Sequence, residues 1–176
     1  MSGSLLTLAE NVGSTLKKRD WKLATAESCT GGGLAYWITA IPGSSDWFDR
    51  GYVTYNDKAK QEMLGIKLST LDQFSAVSQE TALEMAIHAL SQSKAQVSIS
   101  ITGVAGPTGG TPQSPVGTVW IGIASAGVSA GAGGPGGPGA SHAKTEVKHY
   151  LFQGTRAEIR EQAIMVALGN LLDFIQ

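Results

Sequence analysis

The sequence holds a single cysteine, Cys29, so no disulfide can form within the chain, and its three histidines, His88, His142 and His149, fall at no metal-ligand spacing. No bound metal and no cofactor is expected. Charge is also sparse: charged residues make up 15% of the chain, with a net charge of −1 and a pI near 6.3. That balance offers none of the basic field that a phosphate backbone selects, which argues against nucleic acid as a partner. No apolar run approaches the roughly 18 residues of a membrane span, and no amino-terminal basic-then-apolar segment reads as a secretion signal. The expectation is a cytoplasmic chain with no membrane partner. Its 176 residues suit one domain, 1–176, with a substantial core.

Glycine is abundant, with 23 residues, and its placement is informative. Lys22 to Ala26 reads as a short buried strand that ends in Glu27-Ser28-Cys29-Thr30-Gly31-Gly32-Gly33 and runs into a helix. A strand-to-helix turn of this kind aims backbone N–H groups at the positive end of a helix dipole, where an anion or a developing oxyanion is favoured. The glycines equally suit close packing alone, and both readings stand at this point. The stretch lacks the dinucleotide G-x-G-x-x-G pattern, the lysine of a Walker loop and the G-x-S-x-G elbow of α/β-hydrolases.

Around this turn the pattern alternates helix and strand. Residues 4 to 19 space Leu5, Leu8, Val12 and Leu16 helically, with Lys17, Lys18 and Arg19 suiting the last turn. Gly33 to Ala40 is a mostly apolar helix, and Pro42 to Ser45 forms a turn. The aromatics Tyr36, Trp37, Trp47 and Phe48 read as core, with pocket lining as the alternative. Arg50 to Tyr55 alternates as a strand, Asn56 and Asp57 open a helix, and Lys60 lies one turn into it, where a solvated surface charge is the ordinary reading. Were this strand to lie beside the first, Lys60 and Ser28 would leave the same end of the sheet, where open α/β folds place their sites. A short helix over Leu68 to Phe74 has Ser69 and Asp72 as candidate caps. Gln79 to Ser93 is predicted to bury Leu83, Ala86, Ile87 and Leu90, with His88 read as structural or exposed.

Gln96 to Thr102 alternates strictly and runs into Gly103-Val104-Ala105-Gly106-Pro107, a second glycine loop that can face the first across one crevice or serve as an ordinary surface loop. Pro112 and Pro115 stiffen its exit into a strand over Gly117 to Ala124. Between Ala126 and Ala140 seven of fifteen residues are glycine and two are proline, predicting a flexible loop over 126–140. Lys144 to Phe152 is the partner strand. Thr155-Arg156-Ala157-Glu158 spells a capping box opening a final helix to Phe174, and Arg156 in its first turn reads as an ordinary surface arginine or as a hint of an anionic partner.

Taken together, Ala26-Glu27-Ser28-Cys29-Thr30-Gly31-Gly32, Gly43-Ser44-Ser45, Gly51-Tyr52-Val53-Thr54-Tyr55, Thr102-Gly103-Val104-Ala105-Gly106-Pro107 and Pro115-Val116-Gly117-Thr118-Val119 closely resemble the carboxy-terminal domain family of competence/damage-inducible CinA. The resemblance spans almost the whole chain. It implies a three-layer α/β/α sandwich with a mixed, largely parallel central sheet, assembled as a homodimer. It also implies hydrolysis of the carboxamide of nicotinamide mononucleotide to nicotinic acid mononucleotide and ammonia. The family's nucleophile falls on Ser28 and its lysine base on Lys60. Backbone N–H groups from Thr30 to Gly32 are then candidate oxyanion donors, and Tyr55 and Thr102 candidates for orienting Lys60 or the amide. Glu27 is assigned to ordering the turn or pairing with Lys60, and Gly103, Ala105 and Gly106 to nucleotide contact. Phosphate recognition is left to Ser44, Ser45 or Arg156. Thr102 stands where family members often carry serine, which keeps the hydroxyl. Two other classes stay open: a nucleotide-binding or regulatory paralogue without catalysis, and a glycine-loop phosphotransferase, for which neither a Walker lysine nor a Mg²⁺ carboxylate pair is evident.

Overall fold

The structure is a computed structural model that describes residues 2–127 and 144–176. Most of the tract expected to be flexible over 126–140 lies outside the described residues. The described elements run α1 (Ser2–Lys18), β1 (Leu23–Glu27), α2 (Gly33–Thr39), a single 3-10 turn (Ser44–Asp46), β2 (Phe48–Val53), α3 (Asp57–Leu64), α4 (Leu68–Phe74), α5 (Gln79–Ser91), β3 (Val97–Gly103), β4 (Thr118–Ser125), β5 (Lys144–Leu151) and α6 (Arg156–Ile175).

The strands form one sheet in the order β2-β1-β3-β4-β5. β1 lies parallel to both β2 and β3, while β3–β4 and β4–β5 are antiparallel. The sheet is therefore mixed, with its parallel half centred on β1. Because the chain leaves β1 for β2 on one side and returns to β3 on the other, the carboxyl end of β1 is the switch point of the topology. Open α/β sheets place a crevice there.

Side-chain alternation assigns the two faces. Leu23, Ile99, Ile101, Val119, Ile121 and Ile123 pack under α1 and α6, with Leu5, Val12, Leu16, Ile164, Leu168 and Leu171. Trp47 is fully enclosed in that layer, and Trp37 and Phe48 pack against it, so those aromatics are core; Tyr36 points outward. On the opposite face Ala26 meets Leu64, Ile66, Leu71, Met85 and Ala89 from α3 to α5. Strand β3 is buried on both faces, and its polar side needs partners. Ser98 and Ser100 supply them by donating to the α5 carbonyls of Ala86 and Ala82, at 2.6 and 2.5 Å.

That close approach accounts for a correction. The buried stripe of α5 is Ala82, Met85, Ala86 and Ala89, whereas Leu83 and Leu90 are half-buried and Ile87 is exposed. Small residues must face the sheet for the serine bonds to form, so the bulky positions rotate to the flanks. Helix α4 also differs: its cap position is Lys67, without a side-chain bond, and neither Ser69 nor Asp72 caps it. The caps at Asn56 and Thr155 follow the sequence. Asn56 Oδ1 accepts from the Ala59 N–H at 2.8 Å. Thr155 and Glu158 complete a reciprocal capping box. His88 is structural, its Nδ1 lying 2.6 Å from the Leu64 carbonyl.

Gly122 lies under this contact, and a Cβ there would sit 2.6 Å from the Ala82 carbonyl oxygen and 2.7 Å from Ser100 Oγ. Gly122→Ala is expected to cost about 1–3 kcal/mol through overpacking. The check is the denaturant midpoint, which falls while the slope of the transition stays unchanged.

Candidate active site

Ser28 is the first residue past β1, and its N–H donates to the Ile101 carbonyl at 2.9 Å, continuing the ladder to β3. The Thr54 N–H donates to the Glu27 carbonyl at 2.8 Å, which aligns the end of β2 on the other side. Thr54, Ser28 and Thr102 therefore stand in a row across three neighbouring strands. All three are buried.

Lys60 reaches this row from α3. The Asn56 cap fixes the start of the helix, so the side chain one turn later crosses back over the strand ends. Only 1% of Lys60 is exposed, and Nζ lies 3.2 Å from Ser28 Oγ and 3.1 Å from the Thr54 carbonyl oxygen. Its nearest carboxylate, Asp57 Oδ1, is 4.0 Å away and largely solvated. Desolvation pushes the Lys60 pKa below its ordinary value, a shift that Asp57 opposes in part. A buried amine with a lowered pKa, in contact with a hydroxyl, can accept that hydroxyl's proton.

Glu27 does not pair with Lys60. Its carboxylate, 1% exposed, turns to the other face of the sheet and accepts from Thr30 Oγ1 at 2.7 Å and from the Leu34 and Ala35 N–H groups, each at 2.9 Å. The positive end of α2 is thus already filled by the protein's own carboxylate, contrary to the expectation of an anion site there. What remains open is the turn itself. Gly31 and Gly32 both take positive φ, 58° and 89°, which side-chain-bearing residues rarely adopt. Gly31 donates to the Ser28 carbonyl, whereas the N–H groups of Thr30 and Gly32 bond to no protein group among the described residues. Cys29 is buried, and desolvation pushes its thiol up to about 12, so it stays protonated and unreactive at neutral pH.

Tyr55 and Thr102 have partners other than Lys60. The Tyr55 hydroxyl accepts from Arg156 Nη2 at 2.6 Å, and Thr102 Oγ1 donates to the Ala76 carbonyl at 2.6 Å. Arg156 also donates to the Gly106 carbonyl at 2.6 Å, joining the start of α6, the β2–α3 connection and the second glycine loop. Gly103 ends β3 against β4, where a Cβ would lie 2.5 Å from the Thr118 carbonyl oxygen, and Ala105 is buried below the loop. Ser44 and Ser45 lie elsewhere. The neighbouring Trp47 carbonyl accepts from Leu23, the first residue of β1, which puts the serines at the opposite end of a five-residue strand, about 16 Å from Ser28.

Two residues escaped the sequence reading. Arg160, one helical turn after Arg156, donates to the Thr30 carbonyl at 2.7 Å, and its spacing was the available signal. Thr54 was hidden inside a strand block, although its place two residues after the inward Tyr52 puts it on the Lys60 side.

The CinA C-terminal domain model matches residues 5–133. The chain belongs to that family. Among curated relatives, the nicotinamide-nucleotide amidohydrolase PncC of Escherichia coli K12 is 44% identical over 167 residues, 95% of this chain and 92% of that protein. Its Pseudomonas putida counterpart is 40% identical over 168 residues, covering 96% and 95%. Among solved structures, competence/damage inducible protein CihA from Agrobacterium tumefaciens superposes with a TM-score of 0.83 at 36% identity, over 98% of this chain and 96% of that one. A CinA superfamily protein from Klebsiella pneumoniae gives 0.84 at 33% identity, over 97% of both. The mixed sheet and its helical layers are thus those of the CinA superfamily.

The buried amine makes stability depend on pH. Between the lowered pKa of Lys60 and its ordinary value of 10.5, the unfolded chain binds the proton that the folded chain has released. The Lys60 contribution therefore favours folding more as pH rises through that window and is least favourable below it. Lys60→Met is expected to raise the melting temperature near neutral pH and to flatten this part of the pH dependence, as checked by thermal unfolding of both proteins from pH 7 to 10.

Proposed function

We propose that this chain hydrolyses the carboxamide of nicotinamide mononucleotide, releasing ammonia and nicotinic acid mononucleotide within pyridine nucleotide recycling. The observation that carries this reading is the buried contact between Lys60 Nζ and Ser28 Oγ, at 3.2 Å, in a chain 44% identical to a curated nicotinamide-nucleotide amidohydrolase. Lys60 in its neutral form takes the Ser28 proton as Oγ attacks the amide carbon. The Thr30 and Gly32 N–H groups stabilise the resulting oxyanion, a role in which one donor is typically worth about 100- to 1000-fold in rate. The proton on Lys60 then passes to the departing nitrogen as the C–N bond breaks. Water, deprotonated by the same amine, releases the acid from Ser28. At the mouth of the site, Arg156 and Arg160 bond carbonyl oxygens and the Tyr55 hydroxyl, with no carboxylate partner among the described residues. They supply positive charge for the substrate phosphate, in place of Ser44 and Ser45. The same family resemblance supports a cytoplasmic homodimer that needs neither metal nor cofactor.

Ammonia release from nicotinamide mononucleotide in the presence of a chelator tests this reading. Wild type is expected to turn over, while Ser28→Ala and Lys60→Ala each lose about 1000-fold or more. Saturable nucleotide binding without ammonia from wild type would instead identify a binding paralogue.

A further inference from the structure

Thr54 combines two features that the proposed mechanism leaves unused. Its carbonyl already accepts from Lys60 Nζ at 3.1 Å, while its side-chain hydroxyl is fully buried with no hydrogen-bond partner among the described residues. A buried hydroxyl without a partner is costly, and native proteins seldom keep one. Lys60 has the complementary deficit. As an ammonium it carries three N–H donors, yet among the described residues only Ser28 Oγ and the Thr54 carbonyl lie within hydrogen-bond distance, with Asp57 at 4.0 Å.

We propose that Thr54 is a positioning residue whose hydroxyl accepts the third N–H of Lys60 once the amine has become an ammonium. The inference rests on the serine–lysine reading. In that step the Ser28 proton moves to the Lys60 lone pair while Oγ bonds the amide carbon. The new ammonium then points one N–H at the Thr54 carbonyl, one at the departing nitrogen and one at the Thr54 hydroxyl. When the nitrogen takes the proton and leaves, the third contact relaxes and the neutral amine is restored for water. The hydroxyl thereby holds the lysine head in line through both proton transfers.

The ionisable surroundings of Lys60 leave this role to Thr54. Asp57, on its own helix, is largely in solvent, and Cys29, in the turn, stays protonated. On β1, Glu27 faces α2. On α5, His88 meets the Leu64 carbonyl and Glu84 accepts from the Lys67 N–H. From α6, Arg160 is held on the Thr30 carbonyl.

Thr54→Val keeps the shape and removes the hydroxyl, and Thr54→Ser restores it. The decisive readout is the titration of Lys60, followed by NMR of its isotope-labelled side chain in the three proteins. Losing an acceptor disfavours the ammonium, so Thr54→Val is expected to titrate at lower pH than wild type, with Thr54→Ser close to wild type. In ammonia release, Thr54→Val should lower kcat by about 10- to 100-fold, the worth of a hydrogen bond to a charged group, with little change in KM. A Lys60 titration unmoved in Thr54→Val would overturn the proposal, most clearly if that variant were also more thermostable, as removal of an idle buried hydroxyl would make it. The titration needs no turnover, so a wild type that released no ammonia would end the hydrolase reading and leave the Thr54 contact to be judged by the NMR result.

Discussion

Everything at the candidate site depends on an amine being held out of water against a hydroxyl. A lysine head group is among the costliest side chains to bury, and the protein tolerates it only because backbone and side-chain acceptors meet it and the charged form is disfavoured. Those acceptors come from separate elements. Ser28 follows β1, Thr54 follows β2, and α3 carries Lys60 itself. The parallel pairing of β1 with β2 brings them together. A one-residue slip in that register would turn Ser28 to the opposite face, beneath α2.

The turn after Ser28 is built with similar economy. Glu27 spends its carboxylate on α2 and Thr30, which ties the turn from below, and Arg160 ties it from above through the Thr30 carbonyl. Arg156 joins the same helix to both loops that flank the site. α6 thus belongs to the hydrophobic layer along its length and to the site at its first two turns. A cation in the first turn of a helix is unfavourable to the dipole, and here the two loops that Arg156 bonds share the benefit that offsets it.

Much of this was readable from residues. The strand-turn-helix at Ser28, the Asn56 cap that aims Lys60 and the Thr155 capping box are local patterns, and local patterns fix local geometry. The errors came where tertiary contact decides. The buried stripe of α5 is set by two serines on β3 that need its carbonyls. The α2 dipole is filled by a carboxylate seven residues upstream. Ser44 and Ser45, near Ser28 in sequence blocks, fall at the far end of β1 because strand direction, not block order, sets distance. Thr54 and Arg160 were missed for the converse reason, since each matters only through a neighbour from another element.

In the proposed mechanism Ser28 becomes acylated through Lys60. The direct measurement is acid-quenched turnover of nicotinamide mononucleotide followed by peptide mass mapping. A substrate-derived acyl group is expected on the peptide bearing Ser28, present in wild type and absent from Ser28→Ala. An acyl group mapped to any other residue, or undiminished turnover by Ser28→Ala, would contradict it.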